Sequence, residues 1–346
     1  MEQRMGNILF ICGSLNQTTQ MHAIARDLMK ENNCHFTPYY GDGIVNLLAK
    51  MGWLNFTVLG GRHKRETEEY FSRHNLQVDL RGEAHSYDLV VTCSDLLVQK
   101  NIRNKRVVLV QEGITEPESI MFHLVKWLKL PRYLANTSTN GTSNEFDVFC
   151  VASRGYADLF ARKGVHERKI VVTGIPNFDN LKSARDNNFQ FHGHVLVATS
   201  PLRETFRFDD RRAFIRKCMA IAGKRTLIFK LHPLEDPERA TREIRDYAPD
   251  AIVLAYGDIN QMIANAKVVI TQQSTCTYVA LALGKEVHTN LNVEELKKLI
   301  PIQNDGISAE YIARICERVM HTSLAVLQAK RKQTQPRLKR ERADAY

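Results

Sequence analysis

Polar and ionisable side chains follow directly on short apolar runs at several points of this 346-residue sequence. After 194–198 (HVLVA) come Thr199, Ser200, Pro201, Leu202 and Arg203. After 226–231 (TLIFKL) come His232 and Pro233, after 251–255 come Tyr256, Gly257 and Asp258, and after 267–271 come Gln272, Gln273, Ser274 and Thr275. Hydroxyls, an imidazole and a guanidinium at successive strand ends are groups that bind phosphate. A helix opening at Ser274 would add its unpaired N–H groups and the positive end of its dipole. Arg203 can supply a bidentate charged contact, and His232 can donate to a phosphoryl oxygen. Pro233 stops the strand from continuing with a backbone donor. Taken singly, Ser-Thr before a helix is a cap and His-Pro is a turn. Their joint placement is what points to an anion site formed by Ser200, Arg203, His232, Gly257, Ser274 and Thr275.

A second group of candidates lies in the first half. The run 106–111 (RVVLVQ) ends at Glu112-Gly113, where the glycine lets the backbone turn. A carboxylate held there in partly dry surroundings can act as general base or acid; left in water it is an ordinary loop glutamate. His22, near the start of the first helical segment, is the other catalytic candidate, with a surface helix histidine as its plain reading. His123, His192 and His194 carry no such signal.

These residues need elements to position them. Short β-branched apolar runs at 7–12, 35–40, 55–59, 88–92, 106–111, 147–152 and 169–173 read as strands. Helical segments at 18–30, 118–130 and 154–163 separate some of them, and Ser153 is placed to cap the last. The polar, aperiodic stretch 181–191 reads as a linker. Alternation then resumes, with strands at 194–198, 226–231, 251–255, 267–271 and 286–289 and helices at 209–222, 237–248, 259–265 and 274–283. Apolar strands alternating with helices imply parallel sheets covered on both faces. The expected fold is therefore α/β, with two doubly wound Rossmann-like domains facing across a cleft. The boundaries are 1–178, 193–320 and a basic tail at 321–346, and the helix near 309–320 is expected to return to the first domain. In such sheets ligands sit beyond the carboxyl ends of the strands.

Composition narrows the function classes. Hydrophobic residues make up 44% and charged residues 25%, which is ordinary globular composition. The net charge is +10. Much of it falls at the end, where Lys330, Arg331, Lys332, Arg337, Lys339, Arg340 and Arg342 face only Glu341 and Asp344. That end reads either as a solvated terminus or as an attraction to an anionic membrane surface. No zinc-finger spacing, aromatic RNA-binding signature or recognition helix marks a nucleic-acid partner. Seven cysteines without a C-x-x-C pair, and a start with no leader pattern, fit reduced thiols in the cytoplasm.

The chain resembles the GT-B superfamily of nucleotide-sugar glycosyltransferases and their relatives. The stretch 149–180 (FCVASRGYADLFARKGVHERKIVVTGIPNFDN) looks like the interdomain passage of UDP-N-acetylglucosamine 2-epimerases, and 258–288 looks like their nucleotide-binding helix region. Ser200-Pro201-Leu202-Arg203, Lys230-Leu231-His232-Pro233 and Ser274-Thr275 are similar to segments of CDP-glycerol glycerophosphotransferases and of capsule Kdo- and sialyl-type transferases. The resemblance implies that His232, Ser274 and Thr275 hold the donor phosphate and that neither metal nor cofactor is required. It also implies a nucleotide-sugar donor and a glycan or lipid-linked glycan acceptor; the expected location is cytoplasmic, peripheral at the inner face of the membrane where the basic end attaches to it. Two departures stand out. The helix 276–281 lacks the carboxylate that holds the uridine ribose in the epimerases, and their His-Arg-x-x-Asn segment is replaced by 199–204. The expected activity is glycosyl transfer from a CMP-, CDP- or UDP-activated sugar to a cell-surface glycan. Glycerophosphotransfer, sugar-nucleotide epimerisation and ligand binding without turnover are the alternatives.

Overall fold

The structure, a computed structural model, describes residues 5–334 apart from 114, 116, 117, 119, 129, 206 and 273. By its contacts the chain forms two units. One runs up to Asp179 and resumes at Asn304; the other is Asn180–Gln303.

The first unit contains, in chain order, β1 (Asn7–Cys12), α1 (Leu15–Leu28), β2 (Asn33–Pro38), α2 (Gly43–Lys50), α3 (Gly61–Arg73), β3 (Leu89–Thr92), β4 (Arg106–Val110), α4 (Ile120–Leu128), β5 (Val148–Val151), α5 (Arg154–Lys163) and β6 (Ile170–Val172). Its strands form one parallel sheet in the order β2-β1-β3-β4-β5-β6. From Ile8 to Cys12 every side chain is fully buried, as expected of a strand covered on both faces. Ser14 caps α1 by accepting the Gln17 N–H, and Ser153 caps α5 in the same way through Tyr156.

The second unit contains β7 (Val195–Ala198), α6 (Arg211–Ala222), β8 (Leu227–Lys230), α7 (Pro237–Tyr247), β9 (Ile252–Leu254), α8 (Ile259–Asn265), β10 (Val268–Thr271), α9 (Cys276–Ala282), β11 (Glu286–His288) and α10 (Val293–Lys298). Its sheet is also parallel, in the order β11-β10-β7-β8-β9. The chain leaves β7 toward β8 and β9, then crosses back to β10 on the other side. The switch point therefore lies between β7 and β10.

The chain then returns to the first unit. Asn304 donates its backbone N–H to the Asp179 carbonyl (2.9 Å), Ser308 N–H reaches Asp179 Oδ2 (2.8 Å), and Ser308 Oγ donates to the Thr173 carbonyl (2.9 Å). These bonds start α11 (Ser308–His321), which packs on α1 and buries Ile312, Ile315 and Val319 in the first core. Each such side chain contributes about 1.5–3 kcal/mol. The last helix, α12 (Leu324–Thr334), is anchored by Arg331, whose guanidinium lies against Asp147 (Nε to Oδ1, 2.7 Å) and donates to the carbonyls of Arg103 (3.1 Å) and Lys105 (2.7 Å). This corrects the reading of Arg331 as one of the tail's solvated charges: it is buried and paired. Residues 335–346 of that tail lie outside the described residues.

One expected strand is overturned. Residues 51–60 form consecutive turns, held by Asn55, whose Oδ1 accepts the Gly61 N–H (3.1 Å). Gly61 has φ +56, and a Cβ there would lie 2.0 Å from the Asn55 carbonyl oxygen, so glycine permits the tight approach. The helices α2, α3, α10 and α12 lie outside the helical segments expected above. In α3 only Thr67 and Phe71 are buried, and the helix is supported outside by Arg62–Glu66 at 2.6 Å. All seven cysteines are free; burial pushes the thiols of Cys34, Cys150 and Cys218 up to about 12, leaving them inert. Among the described residues no helix is long and apolar enough to cross a membrane.

Candidate functional site

In the second unit Ala198 of β7 is in register with Lys230 of β8 on one side and Thr271 of β10 on the other. Three strands therefore end level, and Ser200, His232 and Ser274 follow those ends by two, two and three residues. The ends of β8 and β10 lie about 10 Å apart, two strand spacings, with β7 between them at the switch point. Open α/β sheets bind ligands at such a point.

His232 is the most constrained of the three. Its backbone N–H donates to Thr199 Oγ1 and to Glu235 Oε2, both at 2.9 Å, and its Nδ1 accepts the Leu234 N–H at 3.1 Å. An Nδ1 engaged as acceptor fixes the ring proton on Nε2, which makes that nitrogen a donor. Behind it lies a buried ionic chain. Thr199 Oγ1 donates to Glu235, Glu235 pairs with Arg211, and Arg211 Nε lies 3.2 Å from Asp209. Gln272, after β10, donates to Asp209 Oδ1 (3.3 Å). The chain thus ties the loops after β7, β8 and β10 together. Lys230 donates to the carbonyls of Leu231 (2.9 Å) and Ala255 (3.0 Å), closing the β8–β9 edge, and burial lowers its pKa.

The other expected residues are distributed unevenly. Ser274 is half-buried and accepts the Cys276 N–H (3.2 Å), while Thr275 is exposed at the helix start. Ser200 is buried. Arg203 makes the bidentate contact expected of it, but to Glu243 of α7 (Nη1 to Oε1, 2.8 Å), with Asp209 at 3.4 Å from its Nε. A phosphate would have to displace a carboxylate there. Gly257 follows the edge strand β9, two strands beyond β7. Its φ of +110 is a conformation glycine favours, and it leads into the Asp258 cap of α8. The helix α9 is shorter than expected and begins at Cys276 rather than Ser274, so its dipole contributes less than the side chains before it.

Sequence reasoning names Thr199 and Gln272 at strand ends without a role and does not single out Asp209, Arg211 or Glu235. Only the spacing of Glu235, three residues after His232, hints at the turn they build.

In the first unit Glu112 follows β4. Its Oε1 accepts Ser14 Oγ (2.9 Å) and its Oε2 accepts Gln17 Nε2 (2.6 Å), both in the first turn of α1. The two donors, one on each oxygen, fix the orientation of the carboxylate at the start of α1. Gln111 braces the turn by donating to the Gly113 carbonyl (2.7 Å) and accepting the Ala152 N–H (2.9 Å). His22 does not join it. Five residues beyond Gln17 on α1, it faces α3, where its Nδ1 lies 3.0 Å from Tyr70 Oη and its ring meets His74 edge-on. Burial, then His74 and Arg26, lower its pKa.

No family model matches the sequence, and no curated protein matches it. Solved structures do. The UDP-GlcNAc 2-epimerase of Neisseria meningitidis, bound to UDP-GlcNAc, superposes with a TM-score of 0.54 at 12% identity, over 90% of this chain and 100% of that one. The Methanocaldococcus jannaschii UDP-GlcNAc 2-epimerase, in complex with UDP-GlcNAc and UDP, gives 0.53 at 16% identity, over 90% and 99%. The Rickettsia bellii enzyme gives 0.53 at 9% identity, over 94% and 98%. At these identities the likeness is one of fold: the chain has a two-unit α/β fold of the GT-B kind.

Proposed function

We propose that this chain is a glycosyltransferase that takes a sugar from a CMP-, CDP- or UDP-activated donor and passes it to a cell-surface glycan acceptor. The observation that carries the reading is the level ending of β10, β7 and β8, which sets Ser274, Ser200 and His232 around one switch point. The Nε2–H of His232 donates to a phosphoryl oxygen, and the hydroxyls of Ser274 and Thr275 take further oxygens from the other side. As the bond from sugar to phosphate breaks, negative charge grows on the leaving phosphate, and these fixed donors stabilise it. Glu112, held by Ser14 and Gln17, removes the proton from the acceptor hydroxyl.

The second reading is a non-hydrolysing UDP-N-acetylglucosamine 2-epimerase, favoured by the fold of the solved structures above. The lack of any carboxylate in α9 speaks against it. A thermal-shift panel of CMP, CDP, UDP, GDP and ADP tests both. A nucleotide at a hundred times its Kd adds about 2.7 kcal/mol of stability, and a panel without any shift removes the proposal. Epimerised product from UDP-N-acetylglucosamine alone would replace it with the second reading.

A further inference from the structure

Positive charge at the carboxyl edge of the second sheet is already answered by the protein's own carboxylates. A helix that starts there can lend a phosphate the positive end of its dipole, but the helices after β7, β8 and β9 each begin with an aspartate in that place. Asp210 caps α6 by accepting the Ala213 N–H (3.0 Å), Asp236 caps α7 through Arg239 (2.9 Å), and Asp258 caps α8 through Asn260 (2.8 Å). The start of α9, after β10, carries the hydroxyls of Ser274 and Thr275 instead.

The guanidiniums are engaged in the same way. Arg203 pairs with Glu243 (Nη1 to Oε1, 2.8 Å) and lies 3.4 Å from Asp209. Arg211 pairs with Glu235 and lies 3.2 Å from Asp209, and Arg239 pairs with Glu204. These side chains form one set: the bond from Arg203, then the charges of Arg211 and Arg239, hold the Glu243 carboxyl below its ordinary value. Three guanidiniums thus face four carboxylates. The Lys230 ammonium is bonded to the carbonyls of Leu231 (2.9 Å) and Ala255 (3.0 Å). Arg207, in the same loop as Arg203, is exposed and has a partner of its own.

The donors assigned to the phosphate above are neutral: the Nε2–H of His232 and the hydroxyls of Ser274 and Thr275. Neutral donors can share the two free oxygens of a phosphodiester, which carries a single charge. A diphosphate brings a second charge toward aspartate caps and a set of side chains already rich in carboxylate, where like charges repel. We propose that the donor sugar is joined to its nucleoside through a single phosphate, as in the CMP-activated class, and not through a diphosphate. The assignment rests on the donor site proposed above. On transfer the bond between the anomeric carbon and the phosphate oxygen breaks. That oxygen keeps the electron pair and leaves as the nucleoside monophosphate, and the acceptor oxygen, its proton passed to Glu112, bonds the carbon.

The test is calorimetric titration of the full-length protein with CMP and CDP, and with UMP and UDP, in EDTA so that no divalent cation masks the second phosphate. The monophosphate is expected to bind at least as tightly as the diphosphate of the same base. Glu243→Gln releases Arg203 as a charge-assisted donor. It should raise diphosphate affinity about tenfold or more and change monophosphate affinity by less than about threefold, with a melting curve recorded to show that the variant is folded. The wild-type comparison stands by itself if it is not. A diphosphate that binds the wild type more than about threefold tighter than its monophosphate overturns the assignment and leaves the donor site in place. A folded Glu243→Gln protein without the selective gain overturns it as well. If none of the four nucleotides binds, the donor site itself is refuted and the assignment falls with it.

Discussion

Replacing His232 by alanine should cost nucleotide affinity far more than stability. The imidazole Nδ1 accepts from the Leu234 N–H at 3.1 Å. Losing that bond in a half-exposed turn costs about 0.5–1.5 kcal/mol, because water can replace the acceptor. The backbone N–H of His232 keeps Thr199 and Glu235, so the turn itself persists. The Nε2–H has a different value. Donating to a charged phosphoryl oxygen, it is worth about 1.5–3 kcal/mol, which is roughly tenfold to a hundredfold in Kd. His232→Asn separates the two effects, since an amide oxygen can accept from Leu234 while no donor reaches as far as Nε2. Calorimetric titration with the nucleotide that gives the largest thermal shift should therefore show both variants weakened on that scale, and chemical denaturation should show the asparagine variant near wild type. Wild-type affinity in His232→Ala for every nucleotide that the wild type binds would refute the assignment and place the donor phosphate elsewhere.

Glu112→Gln should leave nucleotide affinity near wild type while turnover falls by roughly 10²–10⁴-fold; normal turnover in a transfer assay would end its role as base. Arg331→Ala removes the guanidinium that pairs with the buried Asp147 carboxylate, which also accepts the Val107 N–H (2.9 Å). It should destabilise the protein by about 3–5 kcal/mol in denaturant unfolding, and a change below about 1 kcal/mol would mean the pair behaves as a surface pair. His194, almost wholly buried at the start of β7, has its pKa lowered by burial to about 4. Its folded value lies below the unfolded one, so its contribution is full above the ordinary 6.5 and is lost as pH falls from there toward about 4. His194→Phe should remove up to about 3 kcal/mol of that acid destabilisation, read as a flatter stability profile between those values, and an unchanged slope would contradict it.

The buried ionic chain from Thr199 through Glu235 and Arg211 to Asp209 explains why Arg203 is not simply a ligand group. Charges taken out of water must be paired. Asp209 and Glu235 are fully buried in their side chains; Asp209 lies between Arg203 and Arg211, and Glu235 pairs with Arg211. Arg203 is the outer member of that set, with Glu243 on its far side. Its contact with a donor would be made at the expense of a pair already formed. Glu235 acts on His232 through the backbone, as a positioning residue for the turn.

The sequence by itself determined the strands and most of the helices that alternate with them. A strand covered on both faces must be a continuous apolar run, and runs such as 7–12 and 268–271 state that in their composition. It also determined that Ser200, His232 and Ser274 follow strand ends, because a strand's end is a local event. Order and register it could not determine. That β10 returns to the far side of β7, so that Thr271, Ala198 and Lys230 end level, is a choice among topologies with the same local pattern. The same holds for Glu112 reaching Ser14 and Gln17 some 95 residues away, for Arg331 pairing with Asp147 across the chain, and for His22 turning toward α3. Each is a partnership between polar groups that no periodicity announces. The run 55–59 shows the converse: apolar residues suggested a strand, but tertiary structure left Phe56 in water, because Gly61 and the Asn55 cap closed the chain into turns. Hydrophobic pattern is written residue by residue, whereas pairing depends on which surfaces meet once the sheets have formed.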